Sequence, residues 1–236
     1  MKSTLLIAAH GSHLDARSSE PVHRHAAVLR QSGRFGAVLT GFWKEEPALC
    51  RALDGVERGP LIVVPFFMAD GYFTRTVIPR EIARAYADEI TMTRPLGLHP
   101  GLAGLVESTA IAAGAGPGDT VVVLGHGTPR SATSAAAAAD HAAALRARAM
   151  FAQVLPLYLD QEPSIGRFDP SGHPGKVVVV PLFVSDGWHV GTSIPEAMAE
   201  GAARSAILTS AVGAMAGAAE LIAELAAEAA GVGAIP

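Results

Sequence analysis

A shift of 116 residues lays the second half of this sequence over the first. His10-Gly11 falls on His126-Gly127, Glu46-Pro47 on Glu162-Pro163, Pro65 on Pro181, Phe67 on Phe183, Asp70-Gly71 on Asp186-Gly187, Ile78-Pro79 on Ile194-Pro195 and Gly97 on Gly213. The shift is constant throughout. Solenoid repeats recur every ~20–50 residues, so a period this long is a domain duplication. Each copy, at roughly 115 residues, is large enough to bury a core of its own. The copies part at one chemically important place: Phe73 in the first stands where His189 stands in the second.

Within a copy, short apolar runs alternate with helical patterns. In the first copy, strands are read at Thr4 to Ala9, Gly36 to Gly41, Leu61 to Phe67 and Glu89 to Thr93. Helices are read up to Gln31, from Pro47, from Pro79 and from Pro100 to Ala113. The second copy repeats the order, with strands at Thr120 to Leu124, Gln153 to Leu157, Val177 to Phe183 and Ala206 to Thr209. Its alanine-rich stretches, Ala135 to Ala144 and Ala214 to Ala230, favour helix. Strands apolar along their whole length, alternating with helices, imply parallel sheets covered on both faces. The expected architecture is α/β: two tandem duplicated domains, 1–113 and 119–236, joined by the hinge Gly114 to Gly118 and facing a central cleft.

Composition narrows the function. A net charge of −4 leaves no basic stripe for nucleic acid. Cys50 is the single cysteine, so neither an internal disulfide nor a cysteine-built zinc or iron–sulfur site can form. The apolar run at Leu5 to Ala9 is too short for a signal peptide, and no run is long enough to span a membrane. A cytoplasmic location is expected.

In open parallel sheets, ligands bind outside the carboxyl ends of the strands. His10 and His126 directly follow first strands, while Phe73 and His189 lie in loops after third strands. His126 and His189 are therefore expected to project from one edge of the second sheet. Paired imidazoles bind Fe, Co, Ni or Zn and also accept protons near neutral pH. His10 has only Phe73 opposite it, and His13, His23, His25, His99, His141 and His173 lack this placement, so surface or capping roles are expected for them. No P-loop, dinucleotide fingerprint or Gly-x-Ser-x-Gly occurs. A histidine phosphatase needs an arginine before its histidine, and here Ala9 and Gly125 occupy those places.

The order of His-Gly-Ser/Thr, Glu-Pro, Val-Pro-Phe-Phe or Val-Pro-Leu-Phe, Asp186-Gly187-Trp188-His189 and Ile194-Pro195, with Pro95-Leu96-Gly97-Leu98-His99-Pro100, resembles the class II chelatases of the sirohydrochlorin type, the CbiX/SirB cobalto- and ferrochelatases. The resemblance implies insertion of a divalent metal (cobalt or iron, with nickel possible) into a tetrapyrrole without an organic cofactor. It implies His126 and His189 as catalytic groups and metal ligands, and His10, which matches the first motif alone, as a further candidate metal ligand. Many members carry an additional acid just before the Glu-Pro pair, where this chain has Trp43 and Leu159. Glu162, Asp160 and Glu46 are the remaining candidate acids. Arg130, Trp188, Tyr72 and Glu162 are expected to contact the substrate, with Arg17 and Arg75 as further basic residues. Phe183 is either a ring-contacting residue or core. Fusion of two copies suggests a monomer, and a tetrapyrrole- or metal-binding protein without turnover is the alternative function.

Overall fold

The structure, a computed structural model, describes residues 2–57, 59–86, 89–128 and 132–231. In the first copy, β1 (Thr4–Ala9), α1 (Glu20–Gln31), β2 (Ala37–Phe42), β3 (Leu61–Pro65), α2 (Ile78–Ala85), β4 (Ile90–Met92) and α3 (Leu102–Ala112) follow in order. The second copy gives β5 (Thr120–Gly125), α4 (Ala132–Arg148), β6 (Gln153–Tyr158), β7 (Val177–Pro181), α5 (Ile194–Glu200), β8 (Ile207–Leu208) and α6 (Ala218–Ala229). Each copy builds a four-stranded sheet, ordered β2-β1-β3-β4 and β6-β5-β7-β8. All strand pairs are parallel. The central strands β3, β5 and β7 are buried at every residue, as apolar runs without alternation require. Pro156 sits in β6, an edge strand, where its missing N–H costs no ladder bond on the open side.

The chain packs into two compact units that do not coincide with the two repeats. One comprises residues 1–99 with 216–236, the other residues 100–215. The helix that closes each repeat is the element that changes place. α6 packs on α1 and β3 of the first unit, whereas α3 packs on α4 and β7 of the second. The faces involved are apolar: Leu102, Ala103, Val106 and Ala110 of α3 are buried, as are Leu221, Ile222, Leu225 and Ala226 of α6.

The helix expected from Pro47 is absent. Ala48 bridges to Phe42 and residues 49–55 form turns, because the chain bends back onto the end of β2. The Phe42 N–H donates to Pro47 O at 3.0 Å, and the Leu49 N–H donates to Phe42 O at 2.9 Å. The second copy does the same, with Tyr158 bridging to Ser164 and only a 3-10 turn at Ile165–Arg167. Both Glu-Pro peptide bonds are cis. His25, His99 and His141, expected at the surface or at caps, are 1%, 3% and 6% exposed. His25 lies on the apolar stripe of α1 with Val22, Ala26 and Leu29, and its ring meets Phe66 at 5.7 Å. Among the described residues, no helix is long and apolar enough to cross a membrane.

Candidate active site

β1 and β5 each end one residue before a histidine, and a glycine follows it. Gly11 and Gly127 both sit at φ +68°, and a Cβ on Gly127 would lie 2.5 Å from Gln161 and 2.8 Å from Tyr158. Only glycine fits a left-handed position so closely covered. The turn swings the next carbonyl back onto the imidazole, so His126 Nδ1 lies 2.8 Å from Gly127 O. A carbonyl only accepts, so Nδ1 carries a hydrogen, and in the neutral ring this leaves the lone pair on Nε2. The backbone is fixed as well: His126 O accepts the Asp160 N–H at 2.9 Å and the Leu159 N–H at 3.1 Å.

The second imidazole comes from the turn that enters α5. Pro195 lacks the N–H that an α-helix would direct at Gly191, and the turn before it opens into a π turn over His189–Ser193. There the Ile194 N–H donates to His189 O, five residues back. His189 opens this turn and so stands beside the end of β5. The rings of His126 and His189 meet with centroids 4.9 Å apart and planes at 85°. Phe183, 8% exposed, backs both at 6.0 and 5.7 Å. It belongs to the core.

Asp160 Oδ2 is 3.6 Å from His126 Nδ1. Partial desolvation pushes the His189 pKa below the usual imidazole range, the neighbouring His126 adds to this, and Asp160 opposes it. A histidine with a depressed pKa stays neutral through the neutral pH range, with a lone pair to offer. Among the described residues, no group of three or more His, Cys, Asp or Glu is placed to hold a metal. Two imidazoles leave most of an ion's coordination positions to water or to an incoming ligand, which suits transit better than permanent residence.

The first unit repeats this frame with different chemistry. His10 Nδ1 is 2.9 Å from Gly11 O, and Lys44 N–H donates to His10 O at 2.7 Å. Phe73 occupies the place of His189, at 4.9 Å and 84° from His10. Lys44 takes the place of Asp160. Trp188 and Tyr72, at matching positions, are 62% and 66% exposed. Glu162 is engaged elsewhere, accepting the Ser164 N–H at 3.0 Å and pairing with Arg167 at 2.9 Å. Glu46 likewise accepts the Ala48 N–H. Arg17 pairs with Asp15 and Arg75 with Asp70. Arg130 lies outside the described residues. The exchange of Lys44 for Asp160 was readable from the constant shift of 116 positions but gave no signal until the fold brought both beside a histidine.

The CbiX family model matches residues 4–113 and again 120–230. The chain belongs to the CbiX family. A probable sirohydrochlorin cobaltochelatase of Halobacterium salinarum is 35% identical over 219 residues, covering 81% of this chain and 75% of the relative. A multi-domain protein of Deinococcus radiodurans, described as similar in structure to chelatases but with two additional novel domains, superposes with a TM-score of 0.83 at 30% identity. That match covers 97% of this CbiX chain and 55% of the Deinococcus protein, so the chain spans little more than half of that relative's length. A CbiX described as the terminal enzyme for siroheme biosynthesis in denitrifying bacteria superposes with a TM-score of 0.71 at 26% identity, covering 94% of this chain and 96% of that one.

Proposed function

We propose that this CbiX protein inserts a divalent metal ion, cobalt or ferrous iron, into sirohydrochlorin or a close tetrapyrrole relative. The observation that carries the reading is the convergence of two imidazoles, His126 and His189, with ring centroids 4.9 Å apart at the carboxyl end of the second sheet. The name of the halobacterial relative supports cobalt and sirohydrochlorin, and family membership supports chelatase chemistry.

Insertion exchanges two pyrrole N–H protons for one dication. The protein must therefore present the ion to one face of the macrocycle and take up protons at the same place. His126 offers the Nε2 lone pair, either to the ion or to a departing proton. If Nε2 is protonated, the carboxylate of Asp160 beside Nδ1 stabilises the resulting imidazolium. His189, kept neutral by partial desolvation, offers the second lone pair. Asp160 thus supplies the acid for which Glu162 was also a candidate, while Glu162 anchors its own loop. The exposed face of Trp188 stacks on the macrocycle, and Tyr72 does so on the first unit. Arg130 is retained as a partner for substrate carboxylates. His10 faces Phe73, which has no lone pair, so an ion there has one imidazole alone. The same reading takes the protein as a monomer of the cytoplasm with no organic cofactor.

Purified protein mixed with sirohydrochlorin and cobaltous or ferrous ion is expected to speed the absorbance change of metallation. His126→Ala and His189→Ala should each slow it by roughly 100-fold. Binding of the macrocycle without accelerated metallation would leave a carrier in place of an enzyme. Unchanged rates in both variants, with a slowed His10→Ala, would move the site to the first unit.

A further inference from the structure

Thr128 and Gln161 take no part in the chemistry described above, yet one hydrogen bond between them reaches the imidazole of His126. The Thr128 N–H donates to Gln161 Oε1 at 2.7 Å. That N–H and the Gly127 carbonyl belong to one trans peptide group, whose plane holds them pointing in opposite directions. An acceptor fixed on the N–H side therefore aims the carbonyl the other way, and Gly127 O lies 2.8 Å from His126 Nδ1. The Gln161 stem closes the same turn, since its Cγ lies 2.5 Å from where a Cβ on Gly127 would stand. The Asp160 carboxylate, 3.6 Å from Nδ1, is beyond hydrogen-bond reach, so the carbonyl is what holds the Nδ1 hydrogen. The first unit repeats the device with another side chain: the Ser12 N–H donates to Glu45 Oε2 at 3.2 Å, and His10 Nδ1 lies 2.9 Å from Gly11 O. Without an acceptor at position 161 the peptide can turn over, because the glycine before it tolerates both orientations. The N–H would then face Nδ1, which could only accept, and the ring hydrogen would move to Nε2.

We propose that Gln161 is a positioning residue: by holding the peptide between Gly127 and Thr128 it sets the His126 tautomer and keeps the Nε2 lone pair on offer. The use of that lone pair in metal insertion rests on the function proposed above; the tautomer itself rests on the hydrogen bonds alone.

Nitrogen NMR of metal-free protein labelled at histidine, at a pH where the rings are neutral, reads each tautomer directly. Asp160→Ala should leave the His126 hydrogen on Nδ1. In that background, where no carboxylate can replace the carbonyl, Gln161→Met keeps the stem but loses the acceptor and is expected to shift His126 mostly to the Nε2–H form. Gln161→Glu in the same background should restore Nδ1–H. His10, held through Glu45, should not respond, and its unchanged signal reports that the variants fold. An unmoved His126 in Gln161→Met, a shift already present in Asp160→Ala alone, or a parallel shift of His10 would overturn the proposal. With Asp160 in place, Gln161→Met is expected to lower kcat of cobalt insertion about tenfold at an unchanged KM for sirohydrochlorin, with Gln161→Glu close to the parent. A parent-like kcat in Gln161→Met would overturn the positioning role. The expected tautomer pattern in a protein that inserts no cobalt would count against the enzyme reading alone.

Discussion

At the scale of single residues, the two sites form an internal control. The His126–His189 and His10–Phe73 ring pairs share a centroid distance of 4.9 Å and nearly the same interplanar angle. What differs is whether the second ring has a nitrogen and whether the residue after Trp43 or Leu159 is an acid. Installing Phe73→His and Lys44→Asp together should therefore create a second imidazole pair. Cobalt titration by calorimetry is expected to move from roughly one ion per chain toward two, with weak binding at each because the ligands are only two. An unchanged stoichiometry would mean that the frame, and not the ring chemistry, separates the sites. The motif His-Gly made the first histidine legible, since a glycine at positive φ is what folds the carbonyl under Nδ1. The acid was less legible: the sequence left Asp160, Glu162 and Glu46 as candidates, and the fold brings the Asp160 carboxylate within 3.6 Å of His126 Nδ1 while Glu162 and Glu46 cap their own loops.

Among the elements, the strands were plain in the sequence because a buried parallel strand is a continuous apolar run bounded by polar residues. The segments after the Glu-Pro pairs were not, since their backbone groups pair with β2 and β6 and a local helical pattern cannot reveal such partners. A similar tertiary tie starts β5. Asp119 accepts the Gly116 N–H and the Lys176 N–H, each at 2.8 Å, and so joins the hinge to the residue before β7. The backbone N–H of Lys176, then that of Gly116, hold its carboxyl below the usual carboxylate range. A depressed carboxyl stabilises the fold above its unfolded pKa of about 3.9, and that stabilisation is lost as pH falls through the folded value. Asp119→Ala should thus lower the melting temperature at neutral pH. In thermal scans, the gap between variant and parent should close as the pH drops below the carboxylate range; a constant gap would show that the carboxylate charge is irrelevant.

At the scale of the molecule, the repeat and the packing unit differ by one helix. If the packing units hold, deleting residues 216–236 uncovers α1 and β3, elements of the first unit, although the deleted segment belongs to the second repeat. Hydrogen exchange is expected to rise across β1, β3 and α1 while β5, β7 and the His126–His189 pair stay protected. Exchange rising in β5 and β7 instead would show that repeats 1–113 and 119–236 are also the folding units. Core loss at the centre of a sheet should be felt within its own unit: Leu124→Ala, at a fully buried position of β5, is expected to cost about 3 kcal/mol in denaturant unfolding.

The duplication, the parallel α/β class and the histidine pair followed from the sequence alone, because each is written in local order: a fixed shift, uninterrupted apolar runs and residues directly after strands. The destination of α3 and α6, the placement of Asp160 beside His126 and the turns after the Glu-Pro pairs were decided by tertiary structure. A helix shows the same apolar stripe whichever sheet it covers, and a carboxylate shows no partner until backbone bonds from a distant strand bring one within reach.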